Sequence, residues 1–141
     1  MRLFIAIQLQ KEVQDYLSEL QGNFCDVGKI TFAKESHLTL KFLGEIMPAK
    51  AQQIQKKLAE IKFVPFHLTL TGIGFFPDEQ NARVIWIGLE LNDNINELHK
   101  KIGDALAQLF DREKNFAPHL TLGRIKSITN KTKFHKLVER T

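Results

Sequence analysis

His37-Leu38-Thr39-Leu40 returns near the end of the chain as His119-Leu120-Thr121-Leu122. In an extended strand, side chains alternate between two faces, so the histidine and threonine of each copy share one face and the leucines share the other. The leucines can face a core while an imidazole and a hydroxyl, roughly 7 Å apart along the strand, face outward together. Two such strands on either side of a groove would supply two titratable bases and two hydroxyl donors, which predicts an active site.

A third copy of the tetrapeptide covers His67 to Leu70, in a different context. It is followed by Thr71-Gly72-Ile73-Gly74 rather than by a glycine-bounded basic stretch. We therefore interpret His67 as a structural or surface residue. His99 and His135 fall in predicted helices and are interpreted as solvated.

Composition predicts one ordinary globular domain that spans residues 1–141, with 43% apolar and 26% charged residues. No apolar run approaches the length of about 18 residues that a membrane span needs, so no membrane partner is expected. The single cysteine, Cys25, excludes an internal disulfide and predicts a reducing, cytoplasmic location. A net charge of +4 favours an anionic partner, without distinguishing RNA from a small phosphate ester.

Periodicity predicts an alternation of strands and helices along the chain. Strands are predicted over residues 3–7, 29–32, 36–43, 66–73, 83–91 and 119–125. Helices are predicted over 11–20, from Pro48 to Ile61, from a cap at Asp93 to Leu109, and around Phe134. The strand over residues 3–7 is apolar on both faces, which is typical of a central strand.

The chain also contains a faint internal duplication. Arg2 to Ile7 lies 35 residues before His37, and Arg83 to Gly88 lies 36 residues before His119. The counterpart of the predicted strand from Phe66 would begin near position 148, beyond the last residue, which predicts a missing C-terminal strand. We therefore expect an exposed edge in the Thr121 lobe or a disordered tail beyond about Ser127, and weak self-association through that edge.

A pair of histidines suits either a metal ion or proton transfer. Metal sites usually add carboxylate or cysteine ligands at short spacing, whereas Glu35 and Glu45 lie at the strand ends. We therefore predict no metal and no cofactor. Two imidazoles suit acid–base chemistry on a phosphodiester, because a neutral one takes a proton from water and a protonated one gives a proton to the leaving alkoxide.

Other residues near the two motifs suit a phosphate ligand. The hydroxyls of Thr39 and Thr121 can donate to non-bridging oxygens. Arg124, Lys41 and the backbone amides of the strands can offset the charge that builds on phosphorus.

The segments His37-Leu38-Thr39-Leu40-Lys41-Phe42-Leu43-Gly44-Glu45 and Pro118-His119-Leu120-Thr121-Leu122-Gly123-Arg124 resemble the paired signatures of the 2H phosphoesterases. More narrowly, they are similar to the RNA 2′,3′-cyclic phosphodiesterase branch, long called 2′-5′ RNA ligases. Arg2 to Ile7, Gly74-Phe75-Phe76-Pro77 and Val84 to Gly88 also resemble that branch. Two departures are the shorter length of this chain, which agrees with a missing strand, and Gly123, where the branch often has alanine.

This resemblance implies a bilobal α+β fold, with two antiparallel sheets flanked by helices and the motif strands lining a central groove. It implies metal-independent opening of a 2′,3′-cyclic phosphate to a 2′-phosphate. His37 would be the acid beside the 3′ leaving oxygen and His119 the base for water. Thr39, Thr121 and Arg124 would hold the phosphate, and Phe42 would stack on the terminal base.

Phe42 and Arg124 each stand five residues after a motif histidine, so strict alternation points both of them away from the groove. A bulge in each strand would turn them back.

The expected partners are RNA ends or small cyclic nucleotides. A second hypothesis keeps the site but changes the substrate to a 2′-5′-linked oligonucleotide or a small cyclic nucleotide, with phosphodiesterase or ligase activity. A third is a non-catalytic RNA-binding module, which is favoured if the missing strand has spoiled the groove.

Overall fold

A computed structural model describes residues 1–90 and 92–140 of the chain, without the side chain of residue 140. The strands are β1 (Arg2–Gln8), β2 (Gly28–Phe32), β3 (His37–Glu45), β4 (Leu70–Phe76), β5 (Val84–Leu89) and β6 (His119–Ile128). The helices are α1 (Lys11–Asn23), α2 (Pro48–Ala59), α3 (Asp93–Ala105) and α4 (Lys131–Arg140).

The strands form two antiparallel sheets. β1 and β3 make a two-stranded sheet, and β2, β6, β5 and β4, in that order, make a four-stranded one. The two motif strands, β3 and β6, therefore belong to different sheets, and they contact each other. The predicted α+β fold with two antiparallel sheets and flanking helices is confirmed.

The four motif leucines anchor these strands in a shared core. Each of them is at most 4% exposed, so burial of one face of β3 and β6 turns the histidines and threonines to the opposite face. A fully buried leucine contributes roughly 1.5–3 kcal/mol, so the orientation of each motif strand is strongly determined. The leucines are Leu38, Leu40, Leu120 and Leu122.

Strand β3 carries one extra residue directly after its motif threonine. Thr39 pairs with Ala6 and Lys41 pairs with Ile5, which leaves Leu40 without a partner across the ladder. Leu40 and Lys41 are accordingly buried in succession. Because the extra residue shifts the alternation by one, Phe42 returns to the face that carries Thr39.

Strand β6 contains the same irregularity at the equivalent place. Thr121 pairs with Trp86 and Gly123 pairs with Ile85, which leaves Leu122 as the extra residue. Arg124 then pairs with Val84, on the face of β5 that also carries Trp86. The two bulges therefore turn Phe42 and Arg124 to the faces of their motif threonines.

Several predicted elements have different bounds or neighbours. The prediction that residues 3–7 form a central strand is wrong, because β1 pairs with β3 alone among the described residues. The strand predicted from Phe66 begins at Leu70. Before it, separate hydrogen bonds to the carbonyls of His67 and Thr69 replace a regular ladder. The strand predicted over 83–91 spans Val84–Leu89, and its predicted last residue, 91, lies outside the described residues.

The sequence predicted that Asp93 caps helix α3, but the cap is Asn92. The Asn92 side-chain oxygen accepts hydrogen bonds from the backbone N–H groups of Asn94 and Ile95, at 2.8 and 3.2 Å. These bonds satisfy two donors that the first turn leaves unpaired. The helix ends at Ala105, so Leu109 lies beyond it.

Helix α4 packs against the four-stranded sheet. Phe134 is 1% exposed, with its ring centroid 5.9 Å from that of Phe24 and 5.3 Å from that of Phe75. The predicted disordered tail beyond Ser127 is therefore wrong. Strand β6 itself lies between β2 and β5, so an open edge of the sheet that carries Thr121 would be β2 or β4, and the predicted exposed edge stays a prediction. Self-association stays a prediction.

Candidate active site

One groove, of about 470 Å³, is lined by residues of both motif strands. It brings together the six side chains to which the family resemblance gives a role, and these roles stay predictions. They are His37, Thr39, Phe42, His119, Thr121 and Arg124. His67 does not line this groove.

The imidazole of His119 is oriented by a backbone carbonyl. Its Nδ1 lies 2.9 Å from the carbonyl oxygen of Ala117. A carbonyl oxygen only accepts hydrogen bonds, so Nδ1 carries the proton in the neutral ring and Nε2 keeps its lone pair. The rings of Phe76 and Trp86 wall this histidine, with centroids 5.8 and 6.0 Å away. His119 is therefore arranged to accept a proton at Nε2.

The imidazole of His37 lies beside a carboxylate instead. Its Nε2 is 3.9 Å from Oε2 of Glu35, close enough for an ion pair with the protonated ring. From the sequence, Glu35 was placed only at a strand end. It lies in the bend that precedes β3, so no alternation pattern could indicate that its carboxylate approaches His37. The two histidines thus have opposite environments, a carboxylate and a carbonyl.

Phe4 is a groove residue that the sequence did not reveal. It pairs with Phe42 across β1 and β3, and their ring centroids lie 6.2 Å apart. The edge of its ring also approaches the imidazole of His37, at 6.2 Å. Phe4 and Phe42 are 50% and 75% exposed. They therefore present a solvent-exposed aromatic surface on the His37 side of the groove.

Lys41 also lines the groove, and its predicted role in offsetting charge on phosphorus stays a prediction. The bulge at Leu40 turns it inward, where it is only 6% exposed. Its Nζ donates a hydrogen bond of 2.9 Å to the carbonyl of Asp111 and lies 3.7 Å from Glu113. Lys41 therefore fastens the loop over residues 111–118 to β3.

The same loop is held by a histidine that was predicted to be solvated. His99 has only 13% of its side chain exposed, stacks on the ring of Phe116 at 3.9 Å and lies 3.6 Å from Glu113. Phe116 and Glu113 in turn line the groove. The other helical histidine, His135, is 45% exposed and lies 2.9 Å from a carboxylate oxygen of Glu79.

The two half-sites differ at equivalent positions of the pairing. Thr39 stands opposite Ala6, whereas Thr121 stands opposite Trp86. Equivalent residues of β1 and β5 are thus 80 positions apart, one fewer than in the alignment of Arg2 with Arg83. The duplication is real in the pairing pattern, but its sequence alignment was wrong by one residue.

Among residues 1–90 and 92–140, no three histidine, cysteine, aspartate or glutamate side chains are grouped so that they could hold a metal ion. In the same part of the chain, no helix has the length and apolar character required to cross a membrane.

Comparison with known proteins identifies close relatives. The family model described as LigT like Phosphoesterase matches residues 7–86 and 87–141. The RNA 2′,3′-cyclic phosphodiesterase of Methanocaldococcus jannaschii is 37% identical, over 99% of this chain and 80% of that protein. The enzyme of the same name from Thermotoga maritima is 35% identical, over 99% of this chain and 76% of that protein.

Solved structures give the same result. A Thermus thermophilus protein superimposes with a TM-score of 0.79 at 30% identity, over 90% of this chain and 75% of that one. Escherichia coli LigT in complex with 3′-AMP superimposes with a TM-score of 0.71 at 28% identity, over 87% of this chain and 70% of that one.

Proposed function

Because the chain belongs to the LigT-like phosphoesterase family, we propose that it hydrolyses 2′,3′-cyclic phosphates at RNA ends to 2′-phosphates, without a metal ion. One observation carries this assignment: a single groove is lined by both histidines, both motif threonines and Arg124. Two relatives that are 37% and 36% identical to it over the aligned residues are named RNA 2′,3′-cyclic phosphodiesterase.

The reaction needs one proton acceptor and one proton donor on opposite sides of the phosphorus. Nε2 of His119 takes a proton from water while the water oxygen bonds to phosphorus. The bond between phosphorus and the 3′ oxygen breaks, and protonated His37 gives its proton to that oxygen. The products are a 2′-phosphate monoester and a free 3′-hydroxyl. The hydrogen bond of His119 to Ala117 and the carboxylate of Glu35 beside His37 support this division of roles.

The phosphate is held by neutral and charged donors. The hydroxyls of Thr39 and Thr121 donate to the non-bridging oxygens, and the guanidinium of Arg124 offsets the negative charge that grows in the transition state. Arg124 is exposed on the groove face, because the bulge at Leu122 turns it there. Aligned donors of this kind are typically worth about 10²–10³ in rate.

The base that carries the cyclic phosphate stacks on the aromatic surface of Phe4 and Phe42. Base stacking on an aromatic side chain contributes about 1–3 kcal/mol and tolerates any base. This surface lies beside His37, the proposed donor to the 3′ oxygen of the same nucleotide. The net charge of +4 favours an anionic substrate.

The test is turnover of a 2′,3′-cyclic mononucleotide and of an RNA with a cyclic phosphate end, using protein treated exhaustively with EDTA. We expect both substrates to be converted, and ³¹P NMR should identify a 2′-phosphate as the product. Tight binding without turnover would contradict the enzyme and support a binding module. Activity that chelation abolishes and added Zn²⁺ or Mn²⁺ restores would contradict the metal-independent mechanism.

A further inference from the structure

A second and larger cavity, of about 580 Å³, lies beside His119. It shares His119, Phe116 and Ala117 with the catalytic groove. We call it the indole cavity, after Trp86 in its wall. The other residues used below to describe it are Thr71, Phe76, Gly88, Glu90, Asn92 and Asn96.

We propose that the indole cavity is a second nucleobase subsite, which binds a base of the RNA other than the one that carries the cyclic phosphate. This assignment rests on the proposed function of the neighbouring groove. The terminal base is already provided for by Phe4 and Phe42, on the His37 side. A second base next to His119 would make the enzyme prefer an oligonucleotide over a mononucleotide.

The wall of the cavity has the chemistry of a stacking platform. The rings of Phe76 and Trp86 lie 5.5 Å apart at a tilt of 39°, and Phe76 is 48% exposed. Exposed aromatic rings in a concave site are what proteins use to bind unpaired bases. The volume falls within the range of about 300–1,000 Å³ that is usual for small-molecule pockets.

The position of the Trp86 indole ring depends on two neighbouring glycines, which have no side chain to collide with it. A Cβ atom on Gly74 would lie 2.1 Å from the ring of Trp86, and one on Gly88 would lie 3.3 Å from it. Gly74 and Gly88 therefore let the ring lie against the backbone of β4 and β5. The equivalent position opposite Thr39 holds Ala6, so this platform exists on one side of the molecule alone.

The polar groups around the cavity suit a base rather than a phosphate. No lysine or arginine lines it among the described residues, and the carboxylate of Glu90 would repel an anion. Exposed Thr71 and Asn96 can instead hydrogen-bond the edge of a base. The Nε1 of Trp86 is buried and finds no acceptor among the described residues. A neutral, flat, hydrogen-bonding ligand matches this lining.

Trp86 is the one tryptophan of the chain, so its fluorescence reports directly on the cavity. The unmodified protein is titrated with a dinucleotide that ends in a 2′-phosphate and, separately, with the matching mononucleotide 2′-phosphate, with excitation near 295 nm. Because the phosphate site adjoins Trp86, both ligands can change its emission, and we expect the dinucleotide to change it clearly more than the mononucleotide does. An equal change with both ligands would overturn the assignment, since the terminal base alone would then account for it.

Kinetics test the same subsite with a blocking substitution. Asn96→Phe fills the cavity from helix α3, and Glu97→Phe, the next residue, lines another surface and serves as the matched control. For wild type, kcat/KM should be roughly 10-fold or more higher for a dinucleotide with a cyclic phosphate end than for the cyclic mononucleotide. Asn96→Phe should remove this preference and leave mononucleotide turnover unchanged, whereas Glu97→Phe should retain it.

The outcomes separate this inference from the proposed function. If wild type turns over neither cyclic substrate, the proposed function fails, and the fluorescence titration still decides whether a base enters the cavity. If wild type turns over both substrates equally well, or if Asn96→Phe and Glu97→Phe behave alike, the second subsite does not exist. A loss of mononucleotide turnover in Asn96→Phe would also overturn it, because the cavity would then serve the reacting nucleotide.

Discussion

The two halves of the molecule place the same motif on strands with the same bulge, yet they surround it with different neighbours. In one half, His37 lies beside the carboxylate of Glu35 in a two-stranded sheet. In the other half, His119 is bonded to the carbonyl of Ala117 in a four-stranded sheet. A carboxylate can pair with an imidazolium, and a carbonyl that accepts from Nδ1 leaves Nε2 of the neutral ring free to accept a proton. This difference supports the proposed roles of His37 as proton donor and His119 as proton acceptor.

The residues that the bulges expose extend this contrast. Phe42 and Arg124 occupy equivalent positions, five residues after their histidines. One offers an apolar ring and the other a permanent positive charge. An asymmetric substrate, with a base on one side and a developing charge at phosphorus, requires this kind of difference between two related half-sites.

Removal of either histidine should have the largest effect. We expect His37→Ala and His119→Ala each to lower kcat by about 10²–10⁴, because each proton transfer is lost. The double variant should be little worse than either single one, since the two groups act as a unit. Steady-state rates with a cyclic mononucleotide measure this. His67 begins the third copy of the tetrapeptide, outside the groove, so the kcat of His67→Ala should stay within a few-fold of wild type. A folded but inactive His67→Ala would show that His37 and His119 are not the catalytic pair.

Substitution of Phe42 and substitution of Arg124 should change different kinetic constants. Arg124→Ala removes charge stabilisation of the transition state, so kcat should fall by about 10²-fold with little change in KM. Phe42→Ala removes stacking on the base, so KM should rise by roughly 10-fold at nearly constant kcat. Full kinetic curves for both variants decide this. Equal losses of kcat in the two variants would remove the proposed contrast between the half-sites.

One methyl group added beneath the ring of Trp86 should lower the stability of the protein. Gly74→Ala places a Cβ atom 2.1 Å from the indole ring, so the ring must move. We expect the free energy of unfolding to fall by about 1–3 kcal/mol, as for other overpacked sites. Gly72→Ala, on the same strand with nothing within 4 Å of the new atom, is the matched control and should be nearly neutral. Urea denaturation compares the two, and equal stabilities would contradict the packing described for Trp86.

The smallest effect is expected at the surface pair that ties α4 to the first half. Lys133 donates a hydrogen bond to the carboxylate of Asp26 and lowers the pKa of that group. A carboxyl with a lowered pKa in the folded state stabilises the fold above its unfolded pKa, and this contribution is lost as the pH falls through the folded value. Asp26→Asn should therefore lower Tm slightly near neutral pH, and the difference from wild type should vanish in strong acid. A Tm difference that persists in acid would contradict this origin.

Much of the site could be predicted from the sequence because it depends on local alternation. The leucines of each motif face the core, so His37, Thr39, His119 and Thr121 face outward, as predicted. The bulges depend on how β3 and β6 pair with β1 and β5, which no local pattern specifies. The inward turn of Lys41 could therefore not be predicted.

Phe4 and Trp86 were missed for a related reason. Their positions opposite the motif strands follow from pairing register, and the sequence alignment of the two halves was wrong by one residue. The pairing of β4, from the first half of the chain, with β5 of the second half was not predicted either. Exchange of strands between halves cannot be read from the order of elements along the chain.

The central claim, that His37 is the proton donor and His119 the proton acceptor, is tested most directly with a modified substrate. In a cyclic nucleotide whose 3′ bridging oxygen is replaced by sulfur, the leaving thiolate departs without a proton, so a general acid becomes dispensable. We predict that His37→Ala hydrolyses this substrate at nearly the wild-type rate, while His119→Ala stays at least about 10²-fold slower than wild type. Recovery of His119→Ala in place of His37→Ala would reverse the two roles and contradict the account.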